Sequence, residues 1–406
     1  MKIAVYAHSM EIGGSQMNAI EIGAAVQRLG HEVVLVAEPG PLLDVARRLG
    51  LEHQPIPLHR RRPSFEVVAT LVRLARRRGF GIFHGYEWVA ALEGYLGPAA
   101  VCGATAVGTV MSSDVAPFLP RSLPLVVGTD ALRRTCLARG YELVRLLEPP
   151  VDVDANSPDF DGSAFRASLG IGSAPLVVVV CRLVPELKRE GLLAACRTFG
   201  ELGREAVSAR LVIVGDGPAR AEVEAEAARA NARAGKPVVQ LTGELADPRP
   251  AYAAADVILG MGGSALRGMA FGKPLVVQGE LGFWQVCDPD SLAQFLDGGW
   301  YGLGDGSDGA PRLRAQLLPL LLDAERRAAL GSFARKLIVE RFSLRQAARV
   351  QVSVYEEALE RGRRPRVTEL ARIAFPLARY KVGRRFQRLR GAAAADDFNV
   401  IQKAGG

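Results

Sequence analysis

Short apolar runs alternate along the chain with amphipathic stretches, and the pattern runs twice. KIAVYA reads as a first strand and is followed by a glycine turn at Gly13-Gly14. Ala19, Ile22, Val26 and Leu29 then recur at three- and four-residue spacing, which marks one face of a helix that Gly30 ends. HEVVLVAE is the next strand and VVATLVRLARRRG a helix stopped by Gly79, while GIFHG, ATAVGTVM and LPLVVGT read as later strands. Alternation of this kind predicts a parallel sheet flanked by helices, an α/β arrangement. Residues 149–163, PPVDVDANSPDFDGS, are rich in Pro, Asp and Ser, lack periodicity, and predict a linker.

The pattern restarts with APLVVVVCRL, a β-branched run typical of a strand buried on both faces, and continues through LVIVGDG, VVQLTG, DVILG and PLVVQG. Ala219, Val223, Ala227, Ala230 and Ala234 mark one face of an intervening helix. The expected organisation is a Rossmann-like domain over 1–150, a linker over 151–163 and a second Rossmann-like domain over 164–360. Pro319 to Glu360 reads as helical and closes the second domain or crosses back to the first. A tail covers 361–406.

The 406 residues exceed one comfortable core, in agreement with two domains. MKIAVYAHSM is too short an apolar stretch for a signal peptide, and no segment approaches the roughly 18–20 apolar residues of a membrane span. Five cysteines without metal-like spacing fit a reduced, cytoplasmic setting. All five histidines lie between His8 and His84, which leaves the second half without histidine for a metal site or a triad and argues against a zinc enzyme. Charge is unevenly placed. Residues 361–390 hold eleven Lys or Arg and one acidic residue, Glu369, so this stretch carries +10 and the rest of a +8 chain about −2.

In open α/β sheets ligands sit beyond the carboxyl ends of the strands. Three loops there carry candidate chemistry. Gly13-Gly14, in HSMEIGGSQMN, either lets a ligand approach the start of a helix or is a tight turn that binds nothing. Arg182 and Lys188, in CRLVPELKREG, place a forked guanidinium and a compact ammonium where both can neutralise a diphosphate, or they belong to a solvated loop. Gly260, Gly262, Gly263 and Ser264 precede a short helix ended by Gly272, so the amides from Gly263 to Leu266, through Ala265, predict an anion site. The VGDGP turn at 214–218 reads as structural.

CRLVPELK, LVIVGDGP, AYAAADV and ALRGMAFGKPLVV, in this order and spacing, resemble the second domain of glycosyltransferase family 4 enzymes, and Gly13-Gly14 resembles the family's first-domain glycine loop. The resemblance implies the GT-B fold, two Rossmann-like domains whose parallel sheets face each other across a cleft, with the acceptor on the N-terminal side. It further implies retaining transfer of a sugar from a nucleoside diphosphate such as a UDP-sugar or GDP-sugar, without a metal. Arg182 and Lys188 would hold the diphosphate, and Gly14 would lie near the leaving phosphate and the acceptor.

The departures bear on activity. The family usually carries two glutamates eight residues apart, and Leu259 and Arg267 stand at those positions. The second glutamate normally accepts hydrogen bonds from the ribose, which an arginine cannot do. A first-domain loop that often carries a histidine reads TVMSSD, with Met111 and Ser112. His84, in IFHGYE, matches a histidine common at another strand end, and its role is catalytic or structural. The site expected is therefore Arg182, Lys188 and His84 for catalysis, with Gly13, Gly14, Gly262, Gly263, Ser264, Ala265, Leu266 and Arg267 around the nucleotide sugar. Arg267 either takes over a phosphate or ribose contact or marks a sugar-nucleotide-binding protein of low activity; an epimerase is the remaining alternative. The absence of a GxGxxG with a downstream acidic residue argues against an NAD oxidoreductase. The basic tail, with Ile373, Phe375, Leu377, Phe386 and Leu389 among its cations, is expected to rest on an anionic membrane surface, with Pro376 breaking it in two. Nucleic acid is not an expected partner.

Overall fold

KIAVYA is the middle of the first sheet in the computed structural model, which describes residues 1–58, 62–112, 114–362, 365 and 367–389. The strands are β1 (Lys2–Ala7), β2 (Glu32–Ala37), β3 (Glu52–Pro55), β4 (Ile82–Tyr86), β5 (Thr105–Val110), β6 (Leu125–Val127) and β7 (Val144–Leu146), all parallel, in the order β3-β2-β1-β4-β5-β6-β7. β1, β4 and β5 are buried nearly end to end because helices cover both faces, which is why they read as continuous apolar runs. The short edge strands EHQP and VRL have no such run, and hydrophobic periodicity passes over them.

The second sheet contains β8 (Leu176–Val180), β9 (Arg210–Val214), β10 (Val239–Gly243), β11 (Val257–Gly260), β12 (Leu275–Gln278) and β13 (Trp284–Val286), in the order β10-β9-β8-β11-β12-β13. It is parallel except at its edge, where β13 runs antiparallel to β12. A wholly parallel sheet was expected; a two-stranded return needs only a tight turn, and Gly282 provides it with φ +76. The fold class is α/β, two Rossmann-like units.

The chain is compact in two units, Met1–Pro149 with the described residues from Leu344 on, and Pro150–Ser343. These limits differ from the expected 1–150, 151–163 and 164–360. The Pro/Asp/Ser segment is bound to the second unit: the Val151 amide donates to the Phe342 carbonyl at 2.7 Å, and Arg335 donates to the carbonyls of Val153 and Asn156. The Leu344–Arg361 helix belongs to the first unit, where it packs on the Gly14–Arg28 helix and buries Leu344, Ala348, Val354, Tyr355 and Ala358. Its apolar stripe is complementary to the surface that Ile22 and Val26 leave open.

Beyond it, Val367–Leu389 is one helix that runs through Pro376, where a break was expected. Ile373 is buried and Leu377 and Tyr380 pack beside it against the first unit, so tertiary contacts hold the helix across the proline.

Candidate functional site

Strand order reverses direction between β8 and β11 in the second unit and between β1 and β4 in the first. Neighbouring crossovers depart to opposite faces at such points, leaving the crevice where open α/β sheets take ligands. The candidate loops emerge there: the Arg182 loop after β8, the glycine-opened helix after β11, and Gly13-Gly14 after β1.

The turn Gly215-Asp216-Gly217 fixes the Arg182 loop from below. The amides of Cys181 and Leu183 donate to the carbonyls of Val214 (3.0 Å) and Asp216 (2.9 Å), one on either side of Arg182. Both glycines have strongly positive φ, and a Cβ on them would stand 1.9 Å from the Cys181 carbonyl oxygen and 2.4 Å from that of Leu183. No side chain fits there, so the GDGP turn is structural, and it holds the candidate clamp in place.

The far end of the loop is held equally well. Gln278 Nε2 donates to the carbonyls of Lys188 (3.1 Å) and Leu187 (3.4 Å), and Glu190 accepts from the amides of Leu281 (3.0 Å) and Gly282 (2.5 Å). Leu187 has φ +64, a conformation that bulky side chains rarely adopt unless their surroundings enforce it. The Arg182 side chain is exposed and makes no ion pair with the described residues. Lys188 is half-buried beside Cys181, and burial lowers its pKa while the thiol's charge works the other way. The same burial raises the pKa of Cys181.

The third loop opens the Gly262–Ala270 helix without a side-chain cap. The Gly262 amide donates to the Trp300 carbonyl at 3.0 Å, and a helix beginning at Gly262 uses the amides of Ala265 and Leu266 for its own first bonds. Both residues are fully buried. Of the amides expected to face an anion, Gly263 to Leu266, the helix's own bonding leaves those of Gly263 and Ser264. Arg267 is half-buried on the same helix, close enough to Tyr252 for its charge to act on the phenol. Leu259 is wholly buried in β11 within the core.

In the first unit, Gly13 caps the Gly14–Arg28 helix and Gly14 is exposed. A Cβ on Gly14, or on Gly263, would meet nothing within 4 Å, so the protein's own packing demands glycine at neither position. Beside this helix start lies a carboxylate that the sequence reading passed over. Glu87 directly follows β4, is 9% exposed, and has φ +65. It accepts from Ser15 Oγ (2.8 Å) and the Met111 amide (3.0 Å) at Oε1 and from Ser112 Oγ (2.8 Å) at Oε2. One carboxylate thus joins the loops that follow β1, β4 and β5. An acid directly after a strand's carboxyl end is the signal for it in the sequence, three positions after His84.

His84 lies within the core. It has no exposed surface, and its Nδ1 is hydrogen-bonded to the Tyr355 hydroxyl (2.7 Å) and its Nε2 to that of Thr109 (2.6 Å). Burial lowers its pKa to about 3, keeping the ring neutral. The catalytic role expected for His84 does not fit this position, because a proton donor or base needs a path to its substrate. Among the described residues no group of three His, Cys, Asp or Glu could hold a metal ion.

Residues 174–290, which span both candidate loops of the second sheet, match the model of the family described as glycosyl transferases group 1. The matched residues lie within the second unit. The chain is also 31% identical over 214 residues to a GDP-mannose-dependent alpha-(1-6)-phosphatidylinositol monomannoside mannosyltransferase of Mycolicibacterium smegmatis. That alignment covers 49% of this chain and 52% of the relative, so the chain matches about half the length of that protein. Solved structures resemble the whole fold. A glycosyltransferase from Rickettsia africae superposes with a TM-score of 0.67 at 14% identity, over 88% of this chain and 98% of that one. HepE of Anabaena, solved in complex with UDP, gives 0.67 at 16% identity over 88% and 100%. Sucrose-phosphate synthase from Thermosynechococcus elongatus gives 0.64 at 15% over 89% and 100%. At these identities the likeness establishes the fold, and the Arg182–Lys188 loop lies within the residues that match the family model.

Proposed function

We propose that the protein is a retaining glycosyltransferase that moves a sugar from a nucleoside-diphosphate sugar to an acceptor hydroxyl without a metal. In this reading the bond from the anomeric carbon to the diphosphate breaks, a bond to the acceptor oxygen forms on the same face of the sugar, and the acceptor proton leaves with the diphosphate. The catalytic need is then stabilisation of negative charge on the leaving group and placement of the acceptor. The observation that carries the reading is the pair Arg182 and Lys188, on a rigidly held loop at the switch point of a group 1 glycosyltransferase domain. The amides of Gly263 and Ser264, which open a helix after the adjacent strand, add a second source of positive potential. Glycine at position 263, which internal packing does not require, fits close approach by a ligand.

Arg267 occupies the place of a glutamate and offers its fork to a phosphate or the ribose. GDP-mannose is the first donor to test, from the Mycolicibacterium relative, and UDP-glucose the second, because HepE has been solved with UDP-glucose. The acceptor in this reading is lipid-linked, and the protein sits in the cytoplasm as a peripheral protein at the inner membrane face, with no bilayer-crossing helix among the described residues. Thermal-shift titration with UDP, GDP, TDP and ADP identifies the base through mass-action stabilisation. Product formation from the matching labelled sugar nucleotide, with and without a phosphoinositide acceptor, then tests transfer. Binding without product in either case would favour the second reading, a sugar-nucleotide-binding protein of low activity, which Leu259 and Arg267 motivate. Conversion of the free sugar nucleotide would indicate an epimerase.

A further inference from the structure

The Val367–Leu389 helix has two faces of different character. Its inner face rests on the first unit. Glu369, the one acidic residue of 361–390, accepts hydrogen bonds from Tyr95 Oη (2.7 Å) and Ser122 Oγ (2.8 Å). Ile373 is buried, and the Tyr380 ring lies 5.6 Å from that of Trp88 and 5.2 Å from that of Phe118. Positions 369, 373, 377 and 380 recur at four- and three-residue spacing, so this face is fixed. Two of the apolar residues read from sequence as membrane anchors, Ile373 and Leu377, are thereby turned inward. Leu389, Arg388 and Arg390 lie outside the residues whose side chains are described.

The outer face remains. Phe375 is 75% exposed, Val382 56% and Phe386 57%. At about 100° per residue these three fall within a stripe of roughly 40°, and Arg379 lies on the same stripe. Arg372 and Arg385, also exposed, flank it. Aromatic rings are thus presented to solvent between cations, on a helix whose single carboxylate is engaged on the opposite side.

We propose that this outer face docks on an anionic lipid bilayer, with Phe375, Val382 and Phe386 entering the interface and Arg372, Arg379 and Arg385 meeting the head groups. Charge complementarity selects the occupant. The chain outside 361–390 sums to about −2, so attraction to an anionic surface arises in this segment and orients the molecule through it. A purely electrostatic partner would use the cations and leave two exposed phenylalanines without a role; an interfacial segment uses both. The proposal deepens the peripheral location given above and does not depend on which reaction the site performs.

Co-sedimentation of the full chain with vesicles of phosphatidylcholine plus phosphatidylglycerol, and of phosphatidylcholine alone, tests it. Binding to the anionic vesicles only, weakened by salt, is the expected result. Phe375→Ser with Phe386→Ser, and separately Arg379→Glu with Arg385→Glu, should each lower partitioning at least roughly tenfold. Both variants should keep the melting temperature and the tryptophan emission of the parent, since the substituted side chains face away from Trp88. Absence of binding by the parent, binding that these variants leave unchanged, or equal pelleting on both vesicle types would overturn the proposal. So would binding to duplex oligonucleotide in the absence of vesicle binding. Nucleoside diphosphate shifts measured on the same samples report on the catalytic reading separately.

Discussion

Ser15 donates its hydroxyl to Glu87 Oε1 at 2.8 Å, joining residues 72 positions apart at the carboxyl ends of β1 and β4. Because Glu87 also takes the Met111 amide and the Ser112 hydroxyl, one side chain sets the positions of three loops. Its left-handed backbone at the start of the Glu87–Gly94 helix is what aims the carboxylate back across the sheet end. The helix N-terminus favours its negative charge.

Glu87→Gln keeps the shape and removes the charge. Hydrogen bonds to a charged group are worth about 1.5–3 kcal/mol each, and part of that is lost at three bonds. The expected outcome is a lower melting temperature and a larger loss in kcat than in the KM for the donor, since the glycine loop and the TVMSSD loop shift relative to each other while the second unit stays intact. Steady-state kinetics with donor and acceptor varied in turn, beside calorimetric unfolding, measure both. Full activity with unchanged stability would remove Glu87 from the site.

Arg182→Ala is expected to weaken nucleoside diphosphate binding by about 1.5–3 kcal/mol, the range for losing a hydrogen bond to a charged group. Lys188 gives a sharper separation of function from stability. Its ammonium is half-buried with a lowered pKa, so Lys188→Met should leave thermal stability equal or higher while diphosphate affinity falls. Calorimetric titration of both variants with UDP and GDP decides the matter, and unchanged affinity in both would remove the mechanism proposed for the leaving group.

The fold was legible where burial on two faces forces long β-branched runs. LVVVV of β8 and EVVLVA of β2 could be read from composition and length alone. The edge strands were not, because EHQP and WQV pair through the backbone and carry no apolar run. The amides left open at the start of the Gly262–Ala270 helix were harder to read. Glycines before a short helix point to exposed amides, but which amides stay free depends on where the helix starts: its own first bonds take those of Ala265 and Leu266, and the Trp300 carbonyl, nearly 40 residues on, takes that of Gly262. His84 misled for a related reason. A histidine near a strand's carboxyl end has one local pattern whether it faces a ligand or the core, and Tyr355, 271 positions away, decides between them.

Arg267→Glu restores the residue that the resemblance leads one to expect. A carboxylate can accept from the ribose hydroxyls, whereas the guanidinium can only donate. If Arg267 holds a phosphate or the ribose in its own way, the substitution should lower donor affinity at least tenfold, about 1.4 kcal/mol or more. Raised turnover with the preferred donor would instead mark Arg267 as the cause of weak catalysis and favour the binding-protein reading.

His84 predicts a pH dependence of stability that is separate from catalysis. Burial holds its folded-state pKa at about 3, against an ordinary value of 6.5. Between those values the unfolded chain binds a proton that the folded first unit refuses. Stability from this group is therefore fully present above pH 6.5 and is lost as pH falls toward 3. The slope inside the window is about 1.4 kcal/mol per pH unit, so by pH 5 the first unit should be weaker by roughly 2 kcal/mol from His84 alone. His84→Gln keeps a donor and an acceptor for Tyr355 and Thr109 but does not titrate. The variant should be less stable than the parent at pH 7.5, because its amide does not reproduce the geometry of the ring, and the difference should shrink steadily toward pH 5. Urea denaturation at half-unit pH steps, followed through Trp88 in the first unit, measures the slope. A constant gap between parent and variant over that range would mean that the ring takes up its proton in the folded state, and the buried, neutral histidine would have to be abandoned.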